Sequence, residues 1–130
     1  MNQYNYYITS VGDNKKHIQI TTKYRYGVVR NNVLQTSCKV AVEEVCKRHK
    51  IKIEIINVKE EHLHMIVDCP RTMSDAMLMQ LIKGGSSYII FRICPELRSI
   101  YYKGEFWNDG YFCCSVGANY EQVFEYVKNQ

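Results

Sequence analysis

Two histidines stand one residue apart in Glu61-His62-Leu63-His64-Met65-Ile66-Val67. In a strand, successive side chains point to opposite faces. His62 and His64 therefore share one face, while Leu63, Met65 and Val67 share the other, apolar one. Residues two apart along a strand are separated by roughly 6.5–7 Å at Cα. At that spacing two neutral imidazoles can converge on one metal ion. The same pattern also suits two polar residues on a solvated sheet face.

A second feature closes the chain. In the segment 119–130, Tyr120, Val123, Phe124 and Val127 recur at helical spacing and form an apolar docking stripe. Tyr126 stands off that stripe, about 100° around the helix from Val127. Gln130 follows it one turn later. A tyrosine hydroxyl can attack phosphorus and hold a covalent phosphoester. A divalent metal would polarise the phosphate oxygens and stabilise charge on the leaving oxygen. His62, His64 and the Gln130 amide oxygen would give such a metal a partial ligand set, with positions left for water and phosphate. An amphipathic surface tyrosine would show the same spacing.

Basic and aromatic residues are scattered along the rest. Lys23-Tyr24-Arg25-Tyr26 follows an alternating stretch. Lys83-Gly84-Gly85-Ser86-Ser87 offers a cation, amides and hydroxyls at a candidate helix start, which suits phosphate. Arg92 adds charge nearby. Eleven tyrosines supply surfaces on which unpaired bases could stack. Lys23, Arg25, Lys83, Ser86, Ser87 and Arg92 are therefore candidate nucleic-acid contacts. Each is equally at home as a solvated charge or a core residue.

The elements that must position these groups follow from periodicity. His17 to Val29 alternates, with Ile18, Ile20 and Thr22 on one side and His17, Gln19 and Thr21 on the other. Val33 to His49 is helical, with Leu34, Cys38, Ala41, Val42 and Val45 on one face. Lys50–Val58 and His62–Cys69 alternate around the charged turn Lys59-Glu60-Glu61, which predicts a hairpin. Ser74 is a candidate N-cap with Asp75 in the first turn. Gly84-Gly85 either interrupts the helix that follows or separates two. Ser86 to Cys94 is read as helix, stopped by Pro95. A turn at Asn108-Asp109-Gly110 leads into a strand ending near Val116, and the last helix follows. The order strand, helix, strand, strand, helix, strand, helix predicts a ferredoxin-like (RRM-like) α+β sandwich, an antiparallel sheet with helices on one face. The other face is then free for a site.

Composition sets outer bounds. The chain has 130 residues, enough for one domain, with residues 1–16 as an N-terminal extension and 119–130 as the final helix. Apolar residues make up 46%, and Gly and Pro together number nine, which excludes a disordered or linker-rich chain. No apolar run reaches the roughly 18 residues of a membrane span, and the N-terminus lacks the pattern of a secretory signal, so a cytoplasmic location is expected. The net charge of +4 is compatible with a polyanionic partner. The six cysteines form no Cys-x-x-Cys pair, which removes the zinc-ribbon and thioredoxin readings and favours small buried hydrophobes.

Taken in order, these segments resemble one family, the TnpA-type insertion-sequence transposases, single-tyrosine members of the HUH (His-hydrophobe-His) endonucleases. His17-Ile-Gln-Ile-Thr-Thr-Lys-Tyr-Arg25 is similar to the family's opening strand and its Thr-Lys-Tyr-Arg signature. His62-Leu-His64 is similar to the HUH motif. Phe106-Trp-Asn-Asp-Gly-Tyr-Phe112 with Ser115-Val-Gly117 is similar to its Trp-x-x-x-Tyr-Phe…Ser-Val-Gly segment. Tyr126-Val-Lys-Asn-Gln130 is similar to its Tyr-x-x-x-Gln. The resemblance implies that Tyr126 is the nucleophile and forms a 5′-phosphotyrosine. It implies that His62, His64 and Gln130 bind Mg²⁺ or Mn²⁺. It also implies a homodimer acting on single-stranded DNA with hairpins at the element's ends, in which one subunit's tyrosine helix can complete the other's histidine site. The loop Ser115 to Ala118 would be the hinge. Two other readings remain beside it: another HUH nickase of the replication-initiator or relaxase kind, and a non-catalytic nucleic-acid-binding module of the same shape.

Overall fold

The computed structural model describes residues 14–23, 32–101 and 103–130. Arg25, the tyrosines beside it and residues 1–13 of the expected N-terminal extension lie outside the described residues, while Lys15 and Lys16, expected in that extension, instead open the first strand and pair with Asp68 and Val67. The elements run β1 (Lys15–Thr21), α1 (Asn32–Arg48), β2 (Lys52–Val58), β3 (His62–Asp68), α2 (Asp75–Ile93), β4 (Phe112–Val116) and α3 (Tyr120–Lys128). A short 3-10 helix, Pro95–Ser99, follows α2. The strands form one antiparallel sheet in the order β2-β3-β1-β4, the ferredoxin-like arrangement expected.

Alternation places the core. Ile18 and Ile20 of β1 and Leu63, Met65 and Val67 of β3 are buried on one face. Against them pack Cys38, Ala41, Val42 and Cys46 of α1 and Leu78, Met79, Ile82, Ile90 and Phe91 of α2. Four cysteines, Cys38, Cys46, Cys69 and Cys94, are buried, and all six are free. They act as the small hydrophobes expected, while Cys113 is half-buried and Cys114 exposed.

Helix α2 begins as its sequence dictates: the Ser74 hydroxyl accepts from the Met77 N–H at 3.1 Å. It then runs unbroken through Gly84-Gly85. The glycines neither interrupt it nor divide it. A Cβ on Gly85 would sit 2.7 Å from Val45 Cγ2, so the missing side chain lets α1 and α2 approach. Tertiary contact here overrides glycine's poor helix propensity. Beyond α2, Phe91, Tyr101, Phe106 and Trp107 form an aromatic cluster with centroid separations of 4.8–6.3 Å. The Trp107 indole donates to Ser86 Oγ at 2.8 Å, which pins the loop before β4 to α2.

The second face of the sheet is not free throughout. Helix α3 lies across β2 and β3 there, with Val127 fully buried beneath it. Among the described residues, α3 reaches β1 only at His17 and leaves Phe112 of β4 exposed. Among the described residues no helix is long and apolar enough to cross a membrane.

Candidate active site

Antiparallel pairing turns the alternation of three strands into one surface. Gln19 of β1 lies opposite His64 of β3 and also opposite Phe112 of β4, and Asn57 of β2 lies opposite His64 from the other side. Directly opposed residues point to the same face. His17, His62, His64, Gln19 and Phe112 therefore share the face that α3 partly covers. The rings of His62 and His64 are perpendicular at 4.8 Å between centroids. His17 stacks 6.4 Å from His64.

Tyr126 comes down on this group from α3. Its ring meets His64 edge-on at 5.8 Å and His17 at 5.9 Å, all within one chain. The tyrosine is still 48% exposed. Covering by α3 corrects one expectation. His64 does not sit on a solvated face; it is 2% exposed. Burial, with the neighbouring imidazoles and Lys59 adding to it, lowers its pKa to about 4. His17 is lowered by the same desolvation. Both rings are neutral at physiological pH, the form in which imidazole binds a metal. His64 Nδ1 and His17 Nε2 are buried without a hydrogen-bond partner among the described residues.

Among the described residues no group of three or more His, Cys, Asp and Glu side chains is placed to hold an ion. The two motif histidines with an amide oxygen are the donor set available. Gln130 Nε2 donates to the Tyr126 carbonyl at 3.1 Å, which ties the side chain to its own helix.

Two residues of β2 fasten α3. Asn57 Nδ2 donates to the carbonyls of Val127 at 2.9 Å, Gln130 at 3.2 Å and Lys128 at 3.5 Å. At the other end of the helix the Tyr120 hydroxyl donates to Glu54 Oε1 at 3.2 Å. The carbonyls at a helix C-terminus lack intrahelical partners, and Asn57 satisfies them.

The candidate nucleic-acid contacts separate. Ser86 is corrected: it is fully buried mid-helix, accepting from Trp107 and donating to the Lys83 carbonyl at 3.3 Å. It is a core residue, and no helix starts at Lys83. Lys23 pairs with Glu105 at 2.9 Å and Asp109 at 3.7 Å, which offsets its charge. Lys83 donates to the Asp109 carbonyl at 2.9 Å and lies 5.6 Å from the Tyr111 ring centroid. Ser87 lines a surface cavity with Lys83, Tyr88 and Arg98. Arg92 lies over the exposed Tyr88 ring at 5.6 Å, one turn away on the same helix.

Sequence reasoning about the site missed His17, Gln19 and Asn57. Their alternation is readable, but only strand order and register bring them beside His64.

Comparison with known proteins agrees with this fold. Residues 4–130 match the family of IS200-like transposases. The chain is 30% identical over 120 residues to the transposase of insertion sequence element IS200 from Salmonella typhimurium, spanning 89% of this chain and 76% of that one. It is 22% identical over 115 residues to the ISDra2 transposase TnpA of Deinococcus radiodurans, spanning 88% and 81%. A crystal structure of a Deinococcus radiodurans protein assigned as a transposase superposes with a TM-score of 0.74 at 21% identity, covering 100% of this chain and 98% of that one. A REP-associated tyrosine transposase bound to a REP hairpin superposes with a TM-score of 0.59 at 14% identity, covering 96% and 68%. With nearly its whole length inside the family match, this chain belongs to the IS200-like transposases.

Proposed function

We propose that this transposase cleaves and rejoins single-stranded DNA at the ends of an insertion sequence, with Tyr126 as the nucleophile. The observation that carries the reading is the seating of the Tyr126 ring against His64 and His17 on a half-open surface. A non-catalytic binding module gives no reason for a tyrosine off the docking stripe to meet buried, unpartnered imidazoles.

The Tyr126 oxygen attacks a backbone phosphorus, forming the Oη–P bond. The P–O3′ bond breaks, and the 3′ oxygen leaves and gains a proton. The 5′ side stays on the protein as a phosphotyrosine. In rejoining, an incoming 3′-OH attacks that phosphorus, and the tyrosine oxygen leaves and is reprotonated. Packing of Tyr126 against two rings restricts its side chain and so orients the attacking oxygen.

A divalent cation, Mg²⁺ or Mn²⁺, fits the site: His62 and His64 would hold it with the Gln130 oxygen, and the buried, unpartnered His64 Nδ1 is consistent with a nitrogen reserved for a ligand. Such a cation would polarise the phosphate oxygens and stabilise the leaving oxygen. Hairpins at the element's ends are the proposed recognition elements, in keeping with the hairpin bound by the structural relative. A homodimer is the proposed working form.

The test is incubation of the protein with labelled single-stranded DNA from the flanks of its own gene, with and without Mg²⁺. Wild type should yield a free 3′ end and a covalent protein–DNA adduct; Tyr126→Phe should yield neither. Equal cleavage by the variant rejects Tyr126 as nucleophile.

A further inference from the structure

The half of the sheet face that α3 leaves open carries a second recess. Gln19 and Thr21 of β1, Asn108, Gly110 and Tyr111 of the preceding loop, and Phe112 of β4 line an open cavity of about 270 Å³. We propose that this cavity is a subsite for one unpaired nucleobase of the DNA strand whose phosphate is attacked at Tyr126. The inference rests on the proposed function and locates part of its substrate.

Four observations converge on that occupant. Phe112, on the site face, is 44% exposed, and Tyr111, with Lys83 of α2 over its ring, is 47% exposed. Aromatic faces of this kind hold unpaired bases by stacking, without needing a particular base. Around them stand the amides of Gln19 and Asn108 and the hydroxyl of Thr21, groups that can both donate and accept at a base edge. The cavity floor is fixed, because the Asn108 N–H donates to the Thr21 carbonyl at 2.8 Å.

The cavity is also continuous with the candidate active site. The Phe112 ring meets His17 edge-on at 5.1 Å, and His17 in turn meets the Tyr126 ring at 5.9 Å. A base on Phe112 and a phosphate at Tyr126 are thus separated by one imidazole, a span that neighbouring nucleotides can bridge. Size and charge set the occupant's class. The volume is near the lower end of small-ligand clefts, which begin at about 300 Å³. A paired hairpin stem does not fit. Among the described residues the lining carries no charged side chain, so the recess itself suits a neutral polar ring and not a phosphate.

The test compares two labelled strands of equal length, oligodeoxythymidine and an abasic tetrahydrofuran strand, binding full-length Tyr126→Phe protein in Mg²⁺. That background keeps the strands intact. Loss of one stacked base should weaken binding by roughly 5- to 150-fold. The base-bearing strand should bind tighter by that factor, and adding Phe112→Ala should remove most of the difference while leaving abasic binding unchanged. Phe112→Trp should restore it. Tyr111→Ala, outside any strand, serves if Phe112→Ala fails to fold by thermal melting. Strands carrying 5-iododeoxyuridine should photocross-link at Tyr111 or Phe112. A base preference absent from the Tyr126→Phe parent, or undiminished in both alanine variants, or cross-links confined to other residues, overturns the subsite. The cleavage assay separates this from the parent reading. Wild type that cleaves its own flanks while the base preference is undiminished in both alanine variants sinks only the subsite. Wild type that never cleaves, with a preference abolished by Phe112→Ala, sinks only the catalytic reading.

Discussion

Asn57 holds the end of the tyrosine helix through Val127: its Nδ2 donates to that carbonyl at 2.9 Å, and the same nitrogen reaches Gln130 O at 3.2 Å. One β2 side chain thus fixes the backbone on both sides of the last turn carrying Tyr126. Asn57→Leu should keep the fold but release that turn, at a cost of about 1–2 kcal/mol in docking. Faster amide exchange across residues 126–130 and a roughly tenfold slower cleavage are expected. Unchanged exchange there would show that Asn57 does not secure the helix.

Tyr126→Phe should lower cleavage by at least about 10³-fold, because the attacking oxygen is gone while the ring still packs on His17 and His64. DNA binding by gel shift should stay within about twofold of wild type. A parallel loss of binding would mean that the hydroxyl serves recognition.

His62→Ala and His64→Ala should each slow cleavage by about 100-fold or more and weaken Mn²⁺ binding measured by calorimetry or electron paramagnetic resonance. Their effects on stability should differ. His62 is half-buried, whereas His64 lies beneath α3, so His64→Ala should also destabilise the fold by roughly 1–3 kcal/mol. Leu63→Ala, on the core face, should cost about 2–5 kcal/mol. A fully stable Leu63→Ala protein beside an unfolded His62→Ala protein would reverse the assignment of faces.

The lowered His64 pKa makes stability depend on pH. Its ordinary value is 6.5 and its folded value about 4, so between them the unfolded chain binds a proton that the folded chain refuses. Stability must therefore fall as pH drops from about 6.5 towards 4, and this group adds no slope above that window. The full effect is roughly 3 kcal/mol. Urea midpoints of metal-free protein across this range should slope accordingly, and His64→Gln should flatten the slope.

In this structure Tyr126 lies over His64 of its own chain. The family resemblance adds exchange of α3 between subunits. Mixing Tyr126→Phe with His64→Ala tests it. About half of randomly paired dimers would be heterodimers, each with one intact composite site, so up to about one quarter of wild-type sites would return. If native mass spectrometry shows heterodimers and cleavage stays absent, the tyrosine serves its own subunit only.

Much of this arrangement is legible in the residues. Ile18, Ile20, Leu63, Met65 and Val67 announce the core face by alternation, and Ser74 announces the start of α2. Other features depend on partners distant in sequence. Gly84-Gly85 looks like a break until Val45 is seen packed against the bare Cα. Continuity of α2 through that point then turns Ser86 inward, which local composition cannot foretell. His17 and Asn57 become site residues only through the order β2-β3-β1, since strand pairing, not spacing, sets them around His64. The solvation of His64 was likewise hidden, because the docked position of α3 decides it.

The nine residues of α3 bear on when the tyrosine is usable. An isolated helix shorter than about 12–15 residues is marginal in water, since its nucleation cost outweighs so few hydrogen bonds. Helix α3 therefore owes its helical state to the sheet beneath it, through Val127 and the Asn57 and Glu54 bonds. Detached from any sheet it would relax to coil, and Tyr126 would lose its orientation. Order in Tyr126 and attachment of α3 to the histidine-bearing sheet are then a single event, so under the proposed mechanism an oriented hydroxyl exists only beside the imidazoles.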